Sequence, residues 1–252
     1  MIQKQDNQFI KDAIFISYTS LSDFLKCPRA YYLKNIYRNP ETGFRIQIAS
    51  PYLTLGSTIH DAINWFLGLE GQASYEQLET KFRNLWLKFK GKRGGFARIE
   101  DEASFGRRGL KMLANFYKNW QVLGRSAPDI HFPKYNLFDN LVLMGNFDFV
   151  EERLDGTLHV IDFKTGINDE KDPLQLYIYA ILAEANFEKP VTKASFWYLD
   201  RDDEPREIVL DPLQAKLEWI IEKAKEIKKA IEKNEWVCSK NDAPTGASCR
   251  DC

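Results

Sequence analysis

The sequence predicts an α/β protein in which a mainly helical first half precedes a small mixed sheet flanked by helices. Three observations carry this expectation. Up to about residue 120 the apolar residues recur at helical spacing. After Pro133 the pattern shifts to short apolar runs with a hairpin signal at Asp155-Gly156. Residues 174–185 are then apolar nearly all round, as in a buried helix. No repeat, low-complexity stretch or linker interrupts the chain, so one domain is expected over 1–252. It divides into a helical part (14–130), a sheet core (131–210), and a long helix with a cysteine-bearing tail (211–252).

Taken in order, Ser20-Leu21-Ser22-Asp23 reads as a capping box opening a helix, and Pro28 interrupts that helix before it resumes over 29–37. Ile59, Ile63 and Phe66 share one helical face. Tyr75, Leu78, Phe82, Leu85 and Phe89 form a second such face, and Phe105, Leu110, Leu113, Phe116, Tyr117 and Trp120 a third. Residues 141–150 and 157–163 read as two strands joined by the Asp155-Gly156 turn. Residues 194–199 and 207–210 are further strands. Asp211-Pro212 then starts a long amphipathic helix carrying Leu213, Leu217, Ile220, Ala224, Ile227 and Ile231 on one face.

Composition narrows the function classes. Among 252 residues there are only 10 Pro and 14 Gly, which excludes collagen-like and Pro/Gly-rich low-complexity chains. Lys and Arg total 35 against 36 Asp and Glu, so net charge names no polyanionic partner and any nucleic-acid case rests on local patches. No apolar run approaches the ~18 residues of a membrane span, and the polar start lacks a signal peptide's apolar core. An intracellular, cytoplasmic protein is expected, in which structural disulfides are unfavoured. The four cysteines, Cys27, Cys238, Cys249 and Cys252, suit either zinc or an iron–sulfur cluster, and spacing alone favours neither.

The chemistry-bearing residues gather around one strand end. In a strand, i and i+2 point to the same side, so Asp162 and Lys164 share a face while Phe163 turns to the core. With Asp148 on the preceding strand, two carboxylates and an ammonium suit divalent-metal phosphoryl chemistry. Carboxylates are hard ligands for Mg²⁺, and a lysine stabilises the charge that develops on the phosphate or lowers the pKa of an attacking water. Gln175 and Tyr179, four apart, project together from the buried helix. A D-x-K triplet by itself mostly marks a surface ion pair.

Here it has company. Gly56-Ser57-Thr58-Ile59-His60, Gly145-Asn146-Phe147-Asp148, Ile161-Asp162-Phe163-Lys164-Thr165-Gly166 and Gln175-Leu176-Tyr177-Ile178-Tyr179 follow one another in order. With these motifs the chain resembles the PD-(D/E)XK nuclease superfamily, and within it the RecB-like branch, over roughly residues 14–252. The resemblance implies a restriction-endonuclease-like core. It makes His60, Asp148, Asp162 and the Phe163 carbonyl ligands of Mg²⁺ or Mn²⁺, Lys164 the catalytic lysine, and Gln175 and Tyr179 residues that orient substrate or lysine. His131 and His159 read as solvated or structural. The implied activity is a DNA nuclease, an exonuclease on single-stranded or end-opened DNA. Repair, recombination or CRISPR spacer acquisition would be its setting, with a helicase or an adaptation protein as partner and a nucleoid-associated location. A non-catalytic nucleic-acid-binding scaffold that keeps a structural zinc or iron–sulfur site is the alternative.

A subset of the branch carries a 4Fe–4S cluster, with one cysteine in an N-terminal segment matched here by residues 21–32 (LSDFLKCPRAYY) and three near the C-terminus. By that resemblance Cys27, Cys238, Cys249 and Cys252 are its ligands, Cys238 standing in for the cysteine that the family places beyond the C-x-x-C pair.

The same resemblance sets a geometric condition. A plain two-residue turn over Asp155-Gly156 puts Asp148 opposite Phe163, leaving Asp148 and Asp162 on opposite faces of the sheet. One metal can be shared only if the register is offset by one residue, through a three-residue turn with Gly156 at positive φ or a bulge nearer Asp148.

Two acid-free stretches flank these motifs: Lys88, Lys90, Lys92, Arg93 and Arg98, followed by Arg107, Arg108 and Lys111, and separately Lys26, Arg29, Lys34 and Arg38. They are expected to meet a nucleic-acid backbone, the first as a flexible glycine-containing loop, with Phe96 and Tyr31 as candidates for base stacking.

Overall fold

The computed structural model describes residues 1–2 and 11–238. Helix α1 (Tyr18–Lys26) starts three residues before the expected box. Ser17 is the cap, its side chain accepting from the Ser20 N–H while the Ser20 hydroxyl reaches back to the Ser17 N–H. Ser20 fills the place that Glu or Gln usually takes in this reciprocal pair, and the helix buries Leu21 and Phe24. Cys27 ends α1 in an extended conformation. Pro28 opens the short α2 (Pro28–Tyr31), which widens into a π-turn over Tyr32–Ile36.

Helices α3 (Pro51–Gly68), α4 (Tyr75–Trp86) and α5 (Ile99–Asn119) form the helical part. Their facing residues Ile59, Ile63, Phe66, Leu78, Phe82, Leu113 and Phe116 make one core with Ile161, Phe163 and Trp197 from the sheet. The strand expected over 141–150 is in fact two. Strand β1 (Ile14–Ile16), β3 (Lys134–Phe138) and β4 (Leu141–Met144) make a three-stranded sheet in the order β1-β4-β3. The chain then leaves β4 at Gly145 and joins a second sheet, order β2-β5-β6-β7-β8. It comprises β2 (Arg125–Ser126), β5 (Phe149–Glu152), β6 (Leu158–Lys164), β7 (Val191–Tyr198) and β8 (Arg206–Glu207). A Cβ at Gly145 would stand 2.9 Å from Leu182 Cδ1, so a side chain at the crossing point would have to displace the end of that leucine.

Helix α6 (Leu174–Phe187) links β6 to its parallel neighbour β7, and α7 (Leu213–Lys233) packs behind it. Alternation along β6 divides the interior. Leu158 and Val160 face α6 and α7, while Ile161 and Phe163 face α3 and α5. No helix among the described residues is long and apolar enough to cross a membrane.

The hairpin between β5 and β6 has the offset that the sequence demanded. Phe149 pairs with Ile161 and Glu152 with Leu158, which sets Asp148 across from Asp162 when the register is continued by one residue. The Arg153 N–H donates to the Thr157 carbonyl at 2.9 Å and the Gly156 N–H to the Arg153 carbonyl at 3.0 Å. Leu154, Asp155 and Gly156 are therefore a three-residue loop, with Gly156 at φ +80°.

That left-handed glycine is testable. Gly156→Val should lower stability by about 1–2 kcal/mol, a fall of a few degrees in melting temperature, and Gly156→Asn by less than half of that. Equal melting of all three proteins would contradict the turn described.

Candidate active site

The site forms where the end of β6, the chain crossing before β5, helix α3 and helix α6 meet. Asp162 is 1% exposed. Burial pushes its carboxyl pKa up, and the neighbouring Asp148 charge pushes it further, against the pull of Lys164 and His60. Lys164, two residues on along the same strand face, brings Nζ to 2.9 Å from Asp162 Oδ2. Burial alone would lower the lysine's pKa, but the charge and hydrogen bond of Asp162 prevail and raise it, so the ammonium is kept.

Gln175, in the first turn of α6, reads both charges with one amide. Its Nε2 donates to Asp162 Oδ1 at 2.6 Å and its Oε1 accepts from Lys164 Nζ at 2.7 Å. Tyr179, one turn further along α6, accepts from the same Nε2 at 3.0 Å and packs edge-on against Phe147 at 5.8 Å. Burial, then the charges of Asp148 and Asp162, hold its phenol well above its ordinary pKa, so it is a neutral hydroxyl.

Asp148 is held from two other directions. Its Oδ2 accepts the Phe163 N–H at 2.9 Å, and its Oδ1 lies 2.8 Å from His60 Nδ1 on α3. Burial by itself would depress the imidazole. The Asp148 charge and hydrogen bond, helped by Asp162, overrule that and carry its pKa to about 9. His60 and Lys164 thus stand as cations against the two carboxylates. Gly56, four residues before His60, lies over Thr165, its missing Cβ 3.4 Å from that hydroxyl. Arg108 on α5 donates to the Thr165 carbonyl at 2.6 Å and pairs with Asp200, pinning the end of β6. All six side chains singled out in the sequence (His60, Asp148, Asp162, Lys164, Gln175 and Tyr179) are therefore joined in one network.

The family model of the PD-(D/E)XK nuclease superfamily matches residues 16–252. The chain belongs to this superfamily. Its architecture, a small mixed sheet flanked by helices, is the restriction-endonuclease-like arrangement of these nucleases. The class of chemistry is phosphodiester hydrolysis on nucleic acid, typically with Mg²⁺ or Mn²⁺. No curated protein matches the chain.

For this PD-(D/E)XK protein the donor chemistry fits such a cation. Asp162 Oδ2 is buried and receives no well-aligned hydrogen bond, its one close neighbour being the ammonium of Lys164. Mg²⁺ retains several waters and needs only one or two carboxylates from the protein. Among the described residues no three His, Cys, Asp or Glu side chains are spaced as a ready metal site.

Three neighbours escaped the sequence reading. Glu170, in the loop after β6, places Oε1 3.6 Å from Lys164 Nζ. Tyr18, just past the α1 cap, has its pKa raised by burial and then by the Glu170 charge, which puts it beside the same lysine. Phe196 on β7 lies under the Lys164 ammonium, 4.8 Å from the ring centre. None belongs to a spaced motif, and only the fold brings them together.

The basic stretches need correction in detail. Lys88, Lys90, Lys92 and Arg93 are exposed as expected, but their loop is tied down. The Gly91 N–H donates to Glu102, and Thr54 Oγ1 donates to the Gly94 carbonyl. Phe96 and Tyr31 are 3% and 2% exposed and belong to the interior, so neither stacks on a base. The exposed rings nearby are Phe44 and Tyr52. In the second stretch Lys34 pairs with Asp23 at 2.8 Å, and Arg29 lies over the Tyr32 ring. His131 is exposed, as expected. His159 is a half-buried structural residue between Glu151 and Ser195.

Cys27 and Cys238, 211 positions apart in sequence, bring their sulfurs to 3.8 Å. Trp236 stacks on Tyr31 at 5.8 Å and so lays the end of the described chain against α2. Cys249 and Cys252 lie outside the described residues.

Proposed function

We propose that the protein is a Mg²⁺- or Mn²⁺-dependent deoxyribonuclease, acting as an exonuclease on single-stranded or end-opened DNA. The observation that carries this reading is the offset hairpin, which turns two carboxylates from adjacent strands toward one place beside a retained ammonium. Asp148, Asp162 and the Phe163 carbonyl are the proposed metal ligands, and His60, which holds Asp148 Oδ1 in the arrangement described, is the fourth candidate. The cation, when bound, supplies a Lewis acid for the phosphate and lowers the pKa of a coordinated water.

The chain's own residues supply the remainder. Lys164 presents a fixed positive charge to the oxyanion that develops at phosphorus. Gln175 holds that ammonium and Asp162 in one plane, so neither has to reorganise when substrate arrives. Tyr179 fixes the Gln175 amide. Asp148 is held in place by the Phe163 N–H and by His60. Lys88, Lys90, Lys92 and Arg93 are proposed to carry the phosphate backbone up to the site.

The four cysteines are proposed to hold a 4Fe–4S cluster, which supports the nuclease by clipping its ends together; structural zinc is the other metal that thiolates suit. The approach of Cys27 to Cys238 supports a shared metal. An intracellular, nucleoid-associated setting in repair, recombination or CRISPR spacer acquisition, with a helicase or an adaptation protein as partner, accords with this chemistry.

End-labelled single strands should be shortened in Mg²⁺ or Mn²⁺ and left intact in EDTA. Asp162→Ala should cut at least ~100-fold more slowly and Lys164→Met should lose turnover while retaining strand binding, as the removal of one preorganised charge implies. Cleavage in EDTA, or full activity of Asp162→Ala, would overturn the assignment. Protein purified without oxygen should be brown, with broad absorbance near ~400 nm and iron in excess of zinc, and Cys27→Ser should bleach it. A colourless protein with one equivalent of zinc would replace the cluster by a zinc site.

A further inference from the structure

Beside the catalytic network lies a cleft of about 250 Å³ that Asp148 lines and Lys164 does not. Two carboxamides face it. Asn64 sits one helical turn beyond His60 on α3, on the same side of the helix, and Asn146 precedes Asp148 by two residues. Both are exposed, and neither makes a hydrogen bond to another described residue. Phe147 and Phe187 form a wall, their rings 6.0 Å apart and inclined by 32°, and Tyr179 braces Phe147 from behind. Asp148 itself lines the cleft.

The charge pattern disfavours phosphate as the occupant. No Lys or Arg lines the cleft, Asp129 and Asp148 both contribute to it, and its one imidazole, His131, is paired with Asp129 at 3.3 Å. A neutral, flat, hydrogen-bonding group is what this lining accepts. A carboxamide offers a donor and an acceptor side by side, the complement of a base edge, and an aromatic wall offers a stacking surface. The volume is enough for one heterocycle, and a base offers its pairing edge to the two amides only when it is unpaired.

We propose that this cleft is a subsite for a single unpaired nucleobase, that of the nucleotide adjoining the scissile phosphate on the Asp148 side. The proposal rests on the nuclease reading and deepens it: the phosphate is held by charge at Lys164, and its neighbour is held by its base at Asn64 and Asn146. A base must leave its partner to enter, so the subsite selects single strands and frayed ends over intact duplex.

A labelled single strand carrying one abasic residue, digested in Mn²⁺ and mapped on a sequencing gel, reads the subsite directly. Wild-type protein should cut at least about thirtyfold more slowly at one phosphate adjoining the abasic residue, the loss expected for two hydrogen bonds and a stacked ring. The double variant Asn64→Ala/Asn146→Ala should show a KM raised about tenfold on an ordinary strand, for the two hydrogen bonds alone, a smaller change in kcat, and a shallower dip at the abasic residue. Its melting temperature reports whether it is folded. Uniform cutting through the abasic residue by the wild type, or an unchanged KM in the folded double variant, overturns the subsite while leaving the nuclease intact. A wild type that cuts no strand at all overturns both.

Discussion

Two carboxylates held close together in the interior are the constraint on which this structure depends. Asp162 is almost wholly buried and Asp148 nearly so, and the charge of Asp148 disfavours that of Asp162. Such a pair is tolerated only if every oxygen is answered from outside. The answers are four groups from three separate elements: His60 from α3, the Phe163 N–H and Lys164 from β6, and Gln175 from α6. Each donor must arrive within hydrogen-bond distance, so the charge problem fixes how α3 and α6 sit on the sheet as firmly as the apolar cores do. A fold optimised for stability alone would have replaced the pair with packed apolar residues. Its retention is intelligible as chemistry, because a divalent cation balances both charges at once.

Much of this was legible in the sequence, for identifiable reasons. Helices α3, α5, α6 and α7 declare themselves through the spacing of their apolar residues. The i, i+2 rule placed Lys164 beside Asp162. The need for a shared metal converted a turn sequence into a register, and the three-residue loop with Gly156 at positive φ has that register. What failed was local. Residues 141–150 look like one apolar run because both β4 and β5 are buried, and nothing in the run announces that its two ends belong to different sheets. The α1 cap was misplaced because Ser17 and Ser20 are as capable a pair as the Ser20 and Asp23 that the pattern suggested. Phe96 and Tyr31 were given to solvent on the strength of basic neighbours, whereas burial of an aromatic ring outweighs the character of the residues beside it.

Residues that act through tertiary contact were the least visible. Glu170 and Tyr18 come to Lys164 from a loop and a helix start far apart in sequence, and Arg108 reaches Thr165 from the middle of α5. The same holds for Asn64 and Asn146, ordinary surface amides until the fold sets both around one cleft next to Asp148. Together they suggest a division of labour along α3. Gly56 lets the helix approach the lysine end of the site, His60 steadies the central carboxylate, and Asn64 faces the space beyond.

The central claim is that Asp148 and Asp162 are brought together to hold one divalent cation. Titration of the protein with Mn²⁺, followed by electron paramagnetic resonance of the free ion, measures this without reference to any substrate. The account predicts one tightly held Mn²⁺ per chain in the wild type, and loss of that ion in Asp148→Asn and Asp162→Asn while both variants still melt cooperatively. Mn²⁺ held with undiminished affinity by a folded Asp162→Asn, or no bound ion in the wild type, would contradict it.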